Sequence, residues 1–128
     1  MFAVDNQSRI PVYEQVVAQT ERFVLTGLLK PGDPMPSVRS LAITLSANPN
    51  TVQKAYTELE RRGIIYSAPG KGSFIADDAR EKLAAARREE LGRITLSSHE
   101  CAMAGIEKKL ALDAVEQGYQ MYKEAVGA

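Results

Sequence analysis

A chain of 128 residues has room for one small domain with an appendage and not for two large domains, which argues against an elaborate enzyme. Hydrophobic residues make up 45% and charged residues 25%, with a formal net charge of +0, so a folded core is expected and no general basic excess points to nucleic acid. No apolar run reaches the roughly 18 residues of a membrane span, MFAVDNQSRIP lacks a signal-like pattern, and Cys101 is the single cysteine, so a cytoplasmic protein without an internal disulfide is expected.

From Pro11 to Thr26, Tyr13, Val16, Val17, Thr20, Phe23 and Val24 recur at helical spacing, with proline suited to the first turn and Gly27 to the stop. LLKPGDPMP, with three prolines and a glycine, denies helix and predicts a connector with room for one short edge strand. Ser37 can cap a second helix carrying Val38, Leu41, Ala42 and Leu45 and ending near Ser46. Asn48 and Pro49 supply a cap and a first-turn proline for a third helix, whose stripe is Val52, Ala55, Tyr56 and Leu59 and whose stop is Gly63.

IIYSAPGKGSFIA then predicts a β-hairpin, with Ile64 to Ser67 and Ser73 to Ala76 as strands around Pro69, Gly70 and Gly72. Beyond Asp77 the composition turns to Ala, Glu, Lys, Arg and Leu, which predicts helix with a break near Gly105. The expected fold is mainly α with a small hairpin: a winged helix-turn-helix over residues 1–76, then a two-helix appendage over 77–128. The first 76 residues hold 8 Lys+Arg against 6 Asp+Glu and the remainder 8 against 10, a weak bias toward DNA in the first part.

Chemistry sharpens that bias. With the stripe of the third helix buried, a 100° step per residue sends Asn50, Lys54, Thr57 and Arg61 outward and Thr51 and Gln53 to the flanks. Asn and Gln can bond adenine edges bidentately, Lys can reach guanine acceptors, and the free N–H groups of a helix start favour phosphate. Lys71, between Gly70 and Gly72, places a cation on a tip whose glycines let backbone approach DNA. Taken singly, a polar helix face is usually only solvated and a Gly-Lys-Gly turn usually only a turn; their order and spacing carry the reading. A phosphate loop is excluded because Gly72, not a second-position Ser or Thr, follows Lys71.

These residues resemble the GntR family of regulators, in particular its short YtrA-like members, through PSVRSLA, NPNTVQKAY, ELERRG and GKGSF within about the first 76 residues. The resemblance implies a double-stranded DNA operator, with contacts from Arg39 in the second helix, Asn48, Asn50, Thr51 and Gln53 at the start of the third, and Gly70, Lys71 and Gly72 at the wing. Lys54 joins this set from the outward face. Many relatives carry Glu after that arginine; Ser40 stands here, which removes a capping partner for Ser37. Some carry arginine at Pro49 or Gln53, so the family's operators do not transfer.

The resemblance also implies a homodimer formed by the appendage, and repression is its expectation for function. The sequence supports a seam independently. Leu112, Val115, Tyr119, Tyr122 and Val126 alternate spacings of three and four, as do Leu91, Ile94, Ser98, Cys101 and Gly105. Helices this short are marginal alone and need a partner, although packing within one chain competes as an explanation. A small-molecule effector of unassigned chemistry is compatible with the family, and no membrane partner is expected.

The alternative reading is a winged-helix protein-interaction module with incidental DNA affinity. His99 and Cys101 do not face each other on a helix, and a structural zinc needs four ligands, so no metal is expected. One histidine and the lack of paired carboxylates or a Ser-His-Asp set leave catalysis unsupported, and no cofactor is implied.

Overall fold

The computed structural model describes residues 1–125; Val126, the last of the expected seam positions, lies outside the described residues. The helix α1 spans Val12–Leu25 and buries Val16, Val17, Thr20 and Val24. Among the described residues Thr20 is the one buried polar side chain, and its hydroxyl donates to the Val16 carbonyl at 2.8 Å, so it enters the core without an unpaired group. Ahead of α1, Phe2 is buried with its ring edge-on to Phe23 at 5.2 Å. The Gln15 carboxamide accepts from Asp5 N–H at 2.8 Å and donates to the Ile10 carbonyl at 2.9 Å, holding this N-terminal stretch on the helix.

The helix α2 (Val38–Leu45) and the helix α3 (Pro49–Arg61) follow, joined by Ser46, Ala47 and Asn48. Ser46 is the only described non-glycine residue at positive φ, at +52°. This left-handed step ends α2, and Ala47 N–H then donates to the Ala42 carbonyl at 2.9 Å. Tyr56 of α3 donates its hydroxyl to the Pro36 carbonyl at 2.6 Å, pinning α3 to the entry of α2. Burial pushes the Tyr56 phenol well above its ordinary value, so it stays a donor at any working pH.

The strands β1 (Ile65–Ala68) and β2 (Gly72–Ile75) pair antiparallel, with Ile65 opposite Ile75 and Tyr66 opposite Phe74. The connector edge strand is present as one bridge, Pro34 to Phe74. Met35 N–H donates to Ser73 and Ile75 N–H to Asp33, at 2.8 and 2.9 Å, so the outer edge of β2 is covered.

The helix α4 (Ala79–Arg87) returns to this core. Ala79 is fully buried and Leu83 nearly so. Lys82 lies 3.5 Å from the Gly63 carbonyl just past α3, and Arg80 3.3 Å from the Leu25 carbonyl at the end of α1, cations where helix C-termini favour them. The first compact unit therefore runs Met1–Ala85, past residue 76 where the hairpin signal stops.

The second unit begins at Ala86 and contains the helix α5 (Glu89–Met103) and the helix α6 (Lys108–Ala125). Gly105, at φ +76°, makes the break expected from the sequence, with Ile106 N–H donating to the Cys101 carbonyl at 3.0 Å. Neither helix contains a buried residue. Among the described residues no helix is long and apolar enough to cross a membrane.

Candidate nucleic-acid interface

The start of α3 is built by its own sequence. Pro49 occupies the first turn, where a missing N–H costs nothing, and the Asn48 carboxamide accepts from Asn50 N–H at 2.8 Å. No acid lies in that turn, so its positive dipole end is not neutralised. Burial of Val52, Ala55, Tyr56 and Leu59 turns Asn50, Gln53, Lys54 and Thr57 outward. All four line one open groove of about 720 Å³ with Tyr13 and Glu14 of α1. Gln53 donates to Thr57 at 3.3 Å, and the Lys54 ammonium sits 4.0 Å from the centre of the Tyr13 ring.

Of the residues expected to read DNA, then, Asn50, Gln53 and Lys54 share this surface. Asn48 has its oxygen committed to the cap and Thr51 is half-buried; neither lines the groove. Arg39 is exposed on α2. The Ser37 hydroxyl still accepts from Ser40 N–H at 3.0 Å, so α2 keeps its cap although Ser40 cannot return the reciprocal bond that a glutamate would give.

The wing tip is a tight turn in which Lys71 N–H donates to the Ala68 carbonyl at 2.9 Å. Pro69 presets the first corner and Gly70, at φ +75°, supplies the second, which a side chain would strain. Lys71 is exposed beyond it, flanked by Gly72 at φ +106°. The stacked rings of Tyr66 and Phe74, 5.7 Å apart, stiffen the stem. Ser67 hydrogen-bonds Glu60, tying β1 to the C-terminal half of α3.

That half is acidic but internally paired. Glu58 takes two bonds from Arg61 and one from Arg62, and Arg62 also reaches Glu21 of α1 at 3.0 Å. The two guanidinium groups hold the Glu58 carboxyl down to about 2. Arg61, expected to face outward, does so, with its charge engaged by Glu58.

In the second unit, Ile94, Ser98 and Cys101 of α5 line a separate groove of about 580 Å³ with Val115, Tyr119 and Tyr122 of α6. Ser98 donates to the Ile94 carbonyl at 2.7 Å, so its hydroxyl asks nothing of a neighbour. The α6 wall is small as well, through Ala111, Ala114 and Gly118. Leu91 and Leu112, expected in the same seam, are 56% and 55% exposed and lie outside the groove lining.

The family model for bacterial regulatory proteins of the gntR family matches residues 12–75, from the first residue of α1 to the last of β2. The chain belongs to the GntR family. It is 42% identical to the HTH-type transcriptional repressor YtrA of Bacillus subtilis over 84% of this chain and 83% of that protein. A solved GntR family transcriptional regulator from Listeria monocytogenes superposes with a TM-score of 0.71 at 34% identity, covering 89% of this chain and 98% of that one. The DNA-binding domain of AraR in complex with operator ORX1 superposes at 0.54 with 25% identity, over 59% of this chain and 96% of that one.

As a GntR protein, the chain is a helix-turn-helix DNA-binding transcription regulator of the YtrA-like kind, and its family is one of regulators and not of enzymes. Two parts of this GntR site escape the sequence reading. Tyr13 reads there as one more apolar position of α1, yet its ring meets Lys54. The Glu21–Arg62–Glu58 link between α1 and α3 spans 41 positions, and no local pattern signals it.

Proposed function

We propose that this GntR regulator is a dimeric repressor that reads an inverted-repeat operator through the N-terminal half of α3 and the wing. The observation that carries the reading is the outward-facing set Asn50, Gln53 and Lys54 at the positive end of α3, whose first turn holds no acid. Arg39 and Lys71 add exposed cations suited to phosphate, and the glycines beside Lys71 let backbone come close. Asn48 and Thr51 serve the same face, the first by setting the helix start and offering its free amide N–H₂. Similarity to the YtrA repressor supports repression.

The segment after the wing is proposed to hold two DNA-binding units together. Its support is the unburied apolar surface of α5 and α6, where Ile94, Cys101, Val115, Tyr119 and Tyr122 line one groove and Leu91 and Leu112 lie exposed beside it. Two isolated helices bury too little to persist, and covering both with a second copy removes that cost. Joining two reading heads raises affinity for a double site by roughly 10² to 10⁴ where the geometry fits.

Titration of labelled duplexes separates the roles. Arg39→Ala and Lys71→Ala should weaken binding to every sequence and flatten the salt slope by about one unit each. Asn50→Ala and Gln53→Ala should instead erase base preference at particular positions, by roughly 1 to 3 kcal/mol for a bidentate contact. Unchanged affinity in all four variants would mean that DNA lies on another face.

A further inference from the structure

We propose that Tyr13 is a positioning residue for DNA binding: its ring holds the Lys54 ammonium on the open side of the α1–α3 groove with its charge left free for a phosphate. The inference rests on Lys54 belonging to the DNA face. Three carboxylates line the same groove, Glu14, Glu21 and Glu58, and any of them could capture a flexible lysine. Each is already engaged. Tyr13 donates its hydroxyl to Glu14 at 3.2 Å, Arg62 takes Glu21, and Arg61 and Arg62 take Glu58. Among the described residues Lys54 forms no ion pair; its ammonium lies instead 4.0 Å from the Tyr13 ring centre.

The difference matters because a carboxylate would cancel the lysine charge, whereas a neutral ring attracts the cation and leaves the charge in place. One face of the ammonium meets the ring, and Lys54 as a whole is exposed, so its other N–H donors can turn to a ligand. A lysine side chain loses considerable rotamer freedom when it binds, and holding it beforehand removes part of that loss. Tyr13 is itself held, half-buried on α1 next to Val16 and Val17, which are fixed in the core. The aromatic ring is therefore the working part of Tyr13, and its hydroxyl is dispensable for holding Lys54.

The test is a double-mutant cycle read by anisotropy with a fluorescein-labelled, random-sequence duplex, with thermal melts of every variant. Lys54→Met should weaken binding and flatten the salt slope. Tyr13→Leu should weaken it about two- to five-fold, the size expected of an exposed cation–π contact, and should add nothing once Lys54 is Met. Tyr13→Phe should retain most of the affinity. In the wild-type protein the Lys54 ε-methylene protons should be shifted upfield by the ring, a readout that needs no variant. Unshifted protons, a Tyr13→Leu protein that binds like wild type, or a loss that persists on the Lys54→Met background each overturns the proposal. A Tyr13→Phe loss as large as that of Tyr13→Leu also overturns it, by assigning the effect to the hydroxyl. If Lys54→Met itself leaves affinity unchanged, the failure lies in the placing of Lys54 on the DNA face.

Discussion

Cutting the chain after Ala76, where the hairpin ends, should damage the DNA-binding unit, whereas cutting after Ala85 should not. The reason is α4. It places Ala79 at 0% exposure and Leu83 at 6% in the same core as Ile64 and Ile75. Replacing one buried leucine by alanine costs about 2–5 kcal/mol, and Leu83 sits at the edge of the core, so Leu83→Ala should lie near the lower end, about 2–3 kcal/mol. For a unit of this size each kcal/mol lowers Tm by roughly 4–8 °C, which predicts a drop of about 10–20 °C. The shorter truncation loses Leu83, Ala79 and the bonds that Lys82 and Arg80 make to the ends of α3 and α1, and should melt lower still. Far-UV circular dichroism of the full chain, its Leu83→Ala variant and the two fragments decides the matter. Equal stability of the two fragments, within about 0.5 kcal/mol, would refute the assignment of α4 to the core.

Tyr56→Phe should cost about 1 kcal/mol in urea unfolding, because the Pro36 carbonyl loses its donor; no measurable change would mean that water replaces it freely. Val115→Asp should dissociate the proposed dimer in sedimentation by placing an unpaired charge in an apolar seam, while an unaltered sedimentation coefficient would remove α6 from the interface. Glu58 has its carboxyl lowered from 4.5 to about 2, so its contribution to stability is fully present above 4.5 and lost as pH falls through about 2. Glu58→Gln should therefore lower Tm at neutral pH and leave it nearly unchanged near pH 2; an equal effect at both would show that the carboxylate charge is not what stabilises.

The sequence made the DNA-binding unit legible because its determinants are local. Ser37, Asn48 with Pro49, and Pro69 with Gly70 each act through a bond or a dihedral within three residues, and the stripe Val52, Ala55, Tyr56, Leu59 has the helical period. Ser46 shows where such reading thins, since its left-handed φ carries no glycine to announce it. What escaped depends on distant partners: Phe2 on Phe23, Tyr13 under Lys54, Arg62 on Glu21, and Leu83 in the core that α1, α2 and α3 build. Beyond Ala85 the period of three and four gathers Ile94, Cys101, Val115, Tyr119 and Tyr122 to one groove but leaves Leu91 and Leu112 outside it. Supercoil spacing places residues on a face, and it takes the packing of a second helix to choose among them.

The most direct test of two joined reading heads is selection of bound duplexes from a random DNA pool by the purified full-length protein. Two joined heads should enrich an inverted repeat whose half-site centres lie about one helical turn apart, or a multiple of it, with Asn50→Ala and Gln53→Ala altering the bases enriched. Enrichment of a single unrepeated half-site, or of no sequence at all, would contradict it.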